Sequence, residues 1–290
     1  MKETLKNVSI TLLVGLIIFK RPVLMSAISG AITIWINTVF PAIFPFLIIS
    51  DLIISTNLIN LIAHHLSFIY HHLFKMSGYG AYVFLLSLIS GTPGNAKYLK
   101  DLLDAKLINN QEAIKILSMS LVYNPILIIA ITPFLKPFDQ LFLIISNIII
   151  NIIIGLINRN FKVDYKKISH LRAIKFNLIN SINKAIQTLL LILGVIVFFA
   201  ALASLLPTEH PLLIGILEII NGLNKINPHF SYHHQLLFSG ILLSFGSLSI
   251  QTQIKSILKD YQLEYSLFYK SRIIHLILFI LFIQIRLLII

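Results

Sequence analysis

The sequence predicts an all-α polytopic membrane protein made of two repeats of opposite orientation, each carrying an interrupted helical hairpin. Three observations lead there. Of 290 residues, 57% are hydrophobic and 12% charged, more apolar surface than a water-soluble domain of that size buries. Several apolar runs approach the length a helix needs to cross a bilayer, roughly 20 residues. These runs are continuous rather than alternating, which excludes a transmembrane β-barrel.

Val8 to Phe19 reads as a short first span between Lys2/Lys6 and Lys20-Arg21-Pro22. It lacks a small-residue cleavage site and is expected to stay uncleaved. Val23 to Trp35 is amphipathic and leads into Thr38 to Ile54, where Pro41 and Pro45 remove backbone donors and predict a bend. Asp51 near its end is either an intramembrane acid with a coupling role or a solvated interfacial one. Leu58 to Phe74 carries a polar stripe at Asn60, His64, Ser67, His71 and Lys75, the repeat of a helix lying on the membrane surface. His64 and His71 are two turns apart, about 10 Å, too far to share one metal ion. His229 and His233 have a metal-pair spacing but no evident third ligand, so no metal site is assigned.

The next stretch organises the chain. Ser-Gly-Thr-Pro-Gly-Asn-Ala-Lys at 90–97 separates the apolar run 79–90 from a charged helix with Lys100, Asp101, Asp104 and Lys106. Twelve helical residues rise only about 18 Å, short of a bilayer core. The break therefore reads as a hairpin tip inside the membrane, where its bare backbone groups must line protein or water. Thr92 then stands at the N-cap and Pro93 at the first helical position. That directs the positive end of a helix at the tip, an anion-binding arrangement. Gly91 and Gly94 would allow close backbone approach, Thr92 and Asn95 would hydrogen-bond a bound anion, and Lys97 would balance its charge or else snorkel to the surface.

Gln111 to Pro133 follows as a span with a polar kink at Tyr123-Asn124-Pro125, then Leu141 to Ile157 as the next. Residues 159–184 form a basic loop that the positive-inside bias places in the cytoplasm. Ile186 to Leu206 crosses outward, and 207–227 is poor in Lys and Arg apart from Lys225 and contains Glu218 in a short apolar stretch. Leu243 to Ile250 then repeats the interruption, with Gly246 in register with Gly91, and Ser247, Ser249 and Gln251 are its candidate polar groups. Ser247 and Ser249 would cap the second return helix. Phe268 to Ile290 closes the chain with Arg272, His275 and Arg286 on an otherwise apolar helix. The predicted organisation is thus a first half over 1–158 with its hairpin at about 79–108, the basic loop at 159–184, and a second half over 185–290 with its hairpin at about 231–262. Returning hairpins leave Lys20, Arg21, Lys255, Lys259, Lys270 and Arg272 on the wrong side for the charge bias, whereas crossing segments accommodate those of the second half.

The chain has no cysteine, hence no disulfide or thiolate chemistry. Its net charge of +12 sits beside apolar runs, as topogenic charge does, so nucleic acid is not an expected partner. There is no HExxH, no phosphate-binding P-loop and no pair of intramembrane acids of the protease kind, so neither an enzyme nor a cofactor is expected.

Residues 35–54 (WINTVFPAIFPFLIISDLII), 90–97 with KDLLDAKLI after it, Glu218-Ile-Ile-Asn-Gly222 and 244–253 (SFGSLSIQTQ) together resemble the sporulation integral membrane proteins of the YlbJ type. These carry the nucleoside-recognition or Gate domain, also found in concentrative nucleoside transporters. The resemblance spans nearly the whole chain. Gly91, Pro93, Ala96 and Lys97 match its first signature, and Glu218, Gly222, Gly246, Leu248 and Ser249 the later ones. Gly94-Asn95, Ser247 and Gln251 depart from the usual pattern. It implies a multi-pass protein of the bacterial cell membrane or forespore membrane that moves a small organic anion, dipicolinate by analogy with family members linked to it. A nucleoside is the alternative cargo, and a non-transporting sporulation scaffold the alternative role. Glu218 or Asp51 would couple protons. Oligomeric state is not readable from the sequence.

Overall fold

In this computed structural model residues 18–56, 58–164, 176–226 and 230–288 are described, together with Asn7 and Gly15. Most of the predicted first span, Val8 to Phe19, lies outside them, as do Lys2, Lys6, Lys166, Lys167, Arg172, Lys175, Pro228 and His229. Regular structure among the described residues is all helix, and five helices there are long and apolar enough to cross a membrane.

Pro41 and Pro45 do not divide their segment. Helices α1 (Arg21–Ile34) and α2 (Phe40–Ser55) join through a π turn, Trp35–Val39, into one 35-residue span. The wider turn accommodates a proline that has no N–H to donate. At 1.5 Å per residue this helix is about 50 Å long and must tilt or protrude from a core of about 30 Å. α3 (Leu58–Phe74) follows and meets α4 (Tyr79–Ser90) at 96°. Together α3 and α4 are apolar enough to form a broken span or a re-entrant loop, and Asn60 of the expected polar stripe is buried in α3. α3 also buries Ile59, Ala63, Tyr70 and Phe74 and leaves His64, His65, His71 and His72 exposed.

α4 and α5 (Gly94–Asp104) form the predicted first hairpin. α6 (Asn110–Met119), an extended stretch 120–124 and α7 (Pro125–Ile131) make a broken span, and α8 (Pro137–Ile157) returns. α9 (Leu178–Ser204) crosses antiparallel to α1–α2: Lys184 reaches Asp51 at 3.9 Å, and Lys20 donates to the Leu205 carbonyl at 3.4 Å at the far end. Two short helices, α10 (Pro211–Leu217) and α11 (Ile219–Asn224), then fold back on each other. α12 (Tyr232–Phe245), α13 (Leu248–Ile257) and α14 (Ser266–Leu287) complete the chain.

Side-chain ties fix which ends lie together. At one end Lys100 pairs with Asp260 at 2.6 Å, Asn110 donates to the Gln262 carbonyl at 3.2 Å, and Lys115 donates to the carbonyls of Lys75, Arg159 and Phe161. Lys255, Lys259, Lys270 and Arg272 share this basic side, called the inner side below. Lys100 also holds the exposed Asp260 carboxyl below the usual carboxylate range. That tie is therefore present at neutral pH and is released as pH falls through the lowered value.

At the opposite end Asp139, wholly buried, accepts from Arg286 Nε at 2.9 Å and from the Tyr232 hydroxyl. This joins the starts of α8 and α12 to the end of α14. Arg286→Met should destabilise the protein by about 1.5–3 kcal/mol, the range for a hydrogen bond to a charged group, read by unfolding in detergent. Tyr232 and the N-terminus of α8 still hold Asp139, which keeps the loss below that of a bare buried charge.

These ties correct the second half. Residues 232–257 do not return as a hairpin: α12 starts on the outer side beside Asp139, and α13 ends on the inner side beside Lys100. The segment is one 26-residue crossing broken at Gly246-Ser247. The outer hairpin is instead α10–α11, tipped by Glu218, and it lies within 207–227, which the sequence marks only by few Lys and Arg and a short apolar stretch. Each half therefore runs long helix, hairpin, broken span, long helix. The first hairpin opens inward and the second outward.

Candidate functional site

Four interruptions of helical backbone meet halfway through the bundle: the tip 91–93, the break 120–124, Glu218 and the break at Gly246-Ser247. A small cavity of about 50 Å³ lies among them. Thr38 from the π turn, Thr92 and Pro93 from the inner tip, Tyr123 and Asn124 from the first break, Glu218 from the outer tip and Gln253 from α13 line it. Apolar side chains such as Ile43, Leu127 and Ile196 close the rest. A cavity this size holds a few water molecules.

The inner tip and the first break satisfy each other. Thr92 donates both its N–H (2.8 Å) and its hydroxyl (3.1 Å) to the Val122 carbonyl. Asn95 donates to the Ser120 carbonyl at 3.0 Å, and its own amide oxygen accepts from Ala96 N–H at 2.9 Å. The Leu121 carbonyl accepts from Asn151 at 3.0 Å, and Ser118 from Arg272 at 2.9 Å. Carbonyls freed by the broken helix thus have protein donors, as lipid-embedded backbone requires. Asn124 caps α7 by accepting from Ile126 N–H at 2.8 Å.

Gly91 is where the two breaks touch. Its φ of 75° with ψ of −177° is a conformation open to glycine alone, and a Cβ there would sit 2.5 Å from the Asn124 nitrogen. The Thr92-Pro93 bond is cis. Pro93, not Thr92, occupies the N-cap position and α5 begins at Gly94. The expected cap is absent because the Thr92 hydroxyl serves Val122 instead. Gly94 packs on Ser90 and Tyr98.

Lys97 is neither at the tip nor at the surface. It is 5% exposed and bonded to Asp101 one turn along, with Asp51 at 3.5 Å. Asp101 also accepts from Ser50 at 3.1 Å, and Ser50 shares a 2.7 Å bond with Tyr82. Asp51, likewise, is a partner in this buried network rather than a solvated acid. Thr92 and Asn95 spend their donors on the neighbouring break. The anion cradle expected of Thr92, Asn95 and Lys97 is thus committed to protein partners in this form.

In the second half Gly246 is left-handed (φ 67°) and ends α12, with its N–H on Leu242 at 3.2 Å. Ser247 caps α13 through Ile250 N–H at 3.3 Å. Ser249 accepts from Gln253 at 3.1 Å, and Gln251 donates to the Phe245 carbonyl at 3.4 Å. All three polar side chains are buried, but only the neighbouring Ile250 and Gln253 reach the cavity. Glu218 is 3% exposed, and its carboxylate caps α11 by accepting from Asn221 N–H at 2.8 Å. Gly222 permits this tight turn, since a Cβ on it would overlap the Gly215 backbone and approach the Pro211 carbonyl to 2.8 Å. Among the described residues no cluster of metal-ligating side chains occurs.

Over 84% of its length the chain is 23% identical to the sporulation integral membrane protein YlbJ of Bacillus subtilis (strain 168), and the match covers 72% of that protein. The chain is thus similar to a sporulation integral membrane protein. No family model and no solved structure matches it. That likeness and the five long apolar helices make this a multi-pass integral membrane protein in contact with the lipid bilayer, consistent with apolar side chains such as Ile36, Phe198, Ile277 and Leu281 exposed on the spans. Reasoning from sequence passed over Tyr123, Gln253 and Thr38 as cavity residues. Only Tyr123 had a signal, the polar kink it belongs to.

Proposed function

We propose that this protein is a secondary transporter or facilitator of a small organic anion, not an enzyme, with dipicolinate during sporulation as the cargo to test first. One observation carries the reading: two hairpin tips of opposite direction and two broken spans converge on one cavity in mid-membrane. Paired interrupted segments in two halves mark the substrate position of many secondary transporters. A Gate-domain kinship belongs to the same reading, and a nucleoside is the competing cargo it would offer.

Glu218 sets the chemistry of coupling. A buried carboxylate in the cavity wall repels an anionic cargo, so cargo and a proton on Glu218 enter together. One pH unit across the membrane is worth about 1.4 kcal/mol per proton, or about tenfold in accumulation. In proteoliposomes labelled dipicolinate should accumulate along an imposed proton gradient and be displaced by excess unlabelled dipicolinate but not by uridine. Glu218→Gln should keep exchange of cargo and lose the response to the gradient. Absence of dipicolinate flux, or flux that uridine competes away, overturns the anion reading.

A further inference from the structure

Among the described residues Arg272 is a buried cation that no carboxylate answers. It lies on α14, near the inner end of a membrane-crossing helix, and is 3% exposed. Its Nη2 donates to the Ser118 carbonyl at 2.9 Å and to Asn151 at 3.3 Å. Its Nε and Nη1 are buried and meet no acceptor, and among the described residues no acid pairs with it.

A buried charge without a counter-charge costs several kcal/mol, by the order of magnitude known for desolvated ions. The C-terminal end of α6 at Ser118 offsets part of it, about half an elementary charge. The guanidinium also lies over the Phe268 ring, 5.7 Å from its centroid. Tyr123 has an unpartnered buried hydroxyl that sits against Gly246, where a Cβ would lie 3.1 Å away. His275 is held between Ser244 (2.6 Å) and Asn151 (3.4 Å). Tyr123 also lines the cavity and lies within electrostatic range of both Arg272 and Glu218. Tyr123 is thus a cavity-lining residue that feels the charge of the guanidinium.

We propose that Arg272 is an intramembrane anion-binding group, taking a carboxylate or a halide at its two free nitrogens near the Tyr123 side chain. Rotation of Tyr123 would join this position to the cavity. Arg272 would then supply the permanent positive charge that Lys97, bound to two aspartates, does not. The carboxylate source rests on the cargo reading given above; the halide source does not.

The test uses the full chain purified in detergent. Its thermal unfolding is followed at constant ionic strength while sodium gluconate is replaced by chloride, bromide or dipicolinate. Wild type should be stabilised saturably, and R272Q should bind at least tenfold more weakly. A response to dipicolinate alone identifies the cargo carboxylate. A halide response that competes with dipicolinate identifies an inorganic anion sharing the position. If R272Q binds dipicolinate within twofold of wild type, the inference is overturned while the cargo reading stands. If wild type transports dipicolinate but no anion titrates saturably, Arg272 is a helix cap and nothing more. If R272Q does not fold, the wild-type competition between bromide and dipicolinate decides, and its absence counts against the site.

Discussion

Lys97→Ala will destabilise the protein by about 3–5 kcal/mol, the cost of leaving a buried ion pair with one member. The lysine is the shared cation of Asp51 and Asp101, both largely buried, and it links the long helix α1–α2 to the returning arm of the first hairpin. Lys184, the other cation near Asp51, is mostly exposed at 3.9 Å and cannot substitute. The check is chemical unfolding of the purified variant, with Lys97→Met/Asp101→Leu beside it. Removing one charge of each sign and replacing both by apolar groups should recover part of the loss, since buried pairs often exchange for apolar groups at little cost while Asp51 stays without Lys97. If Lys97→Ala is as stable as wild type, the lysine is not held as described. A loss of uptake in Lys97→Ala alone therefore reports on the latch between hairpin and long helix and does not place Lys97 on the cargo.

Which features were legible depended on whether their cause was local. The first hairpin was readable because Gly91 and Pro93 end an apolar run too short to cross. The Lys97–Asp101 contact was implicit in i, i+4 spacing, whereas Asp51 lies 46 residues away and its pairing follows only from the fold. Gly246 resembled Gly91, but the two glycines do different work. Gly91 reverses the chain in an extended conformation beside Pro93; Gly246, left-handed and followed by the capping Ser247, lets α13 continue toward the inner side. The basic residues after it, Lys255 to Arg272, already argued for a crossing. The Glu218 tip was hidden because its arms, of 7 and 6 residues, are too short to register as apolar segments. Its available signal was an acid flanked by Gly215 and Gly222 in an apolar stretch.

Gly91→Ala will cost more than Gly94→Ala at the same tip. A Cβ at φ 75°, ψ −177° carries backbone strain, and it would press within 2.5 Å of the Asn124 nitrogen. Strain and overpacking each contribute about 1–3 kcal/mol, together about 2–6 kcal/mol. The clash is with backbone at the start of α7, so relief requires separating the tip from the break. That would pull Thr92 off Val122 and uncover carbonyls that only protein can satisfy at this depth. Gly94→Ala is the internal control. Its Cβ would meet the Ser90 hydroxyl at 2.8 Å and the Tyr98 hydroxyl at 3.3 Å, groups on side chains that can shift. The expected order in both unfolding free energy and dipicolinate flux is wild type, then Gly94→Ala, then Gly91→Ala with flux reduced at least tenfold. Equal behaviour of the two alanine variants would show that the inner tip does not bear on the first break, and the convergence of interrupted helices would lose its physical basis.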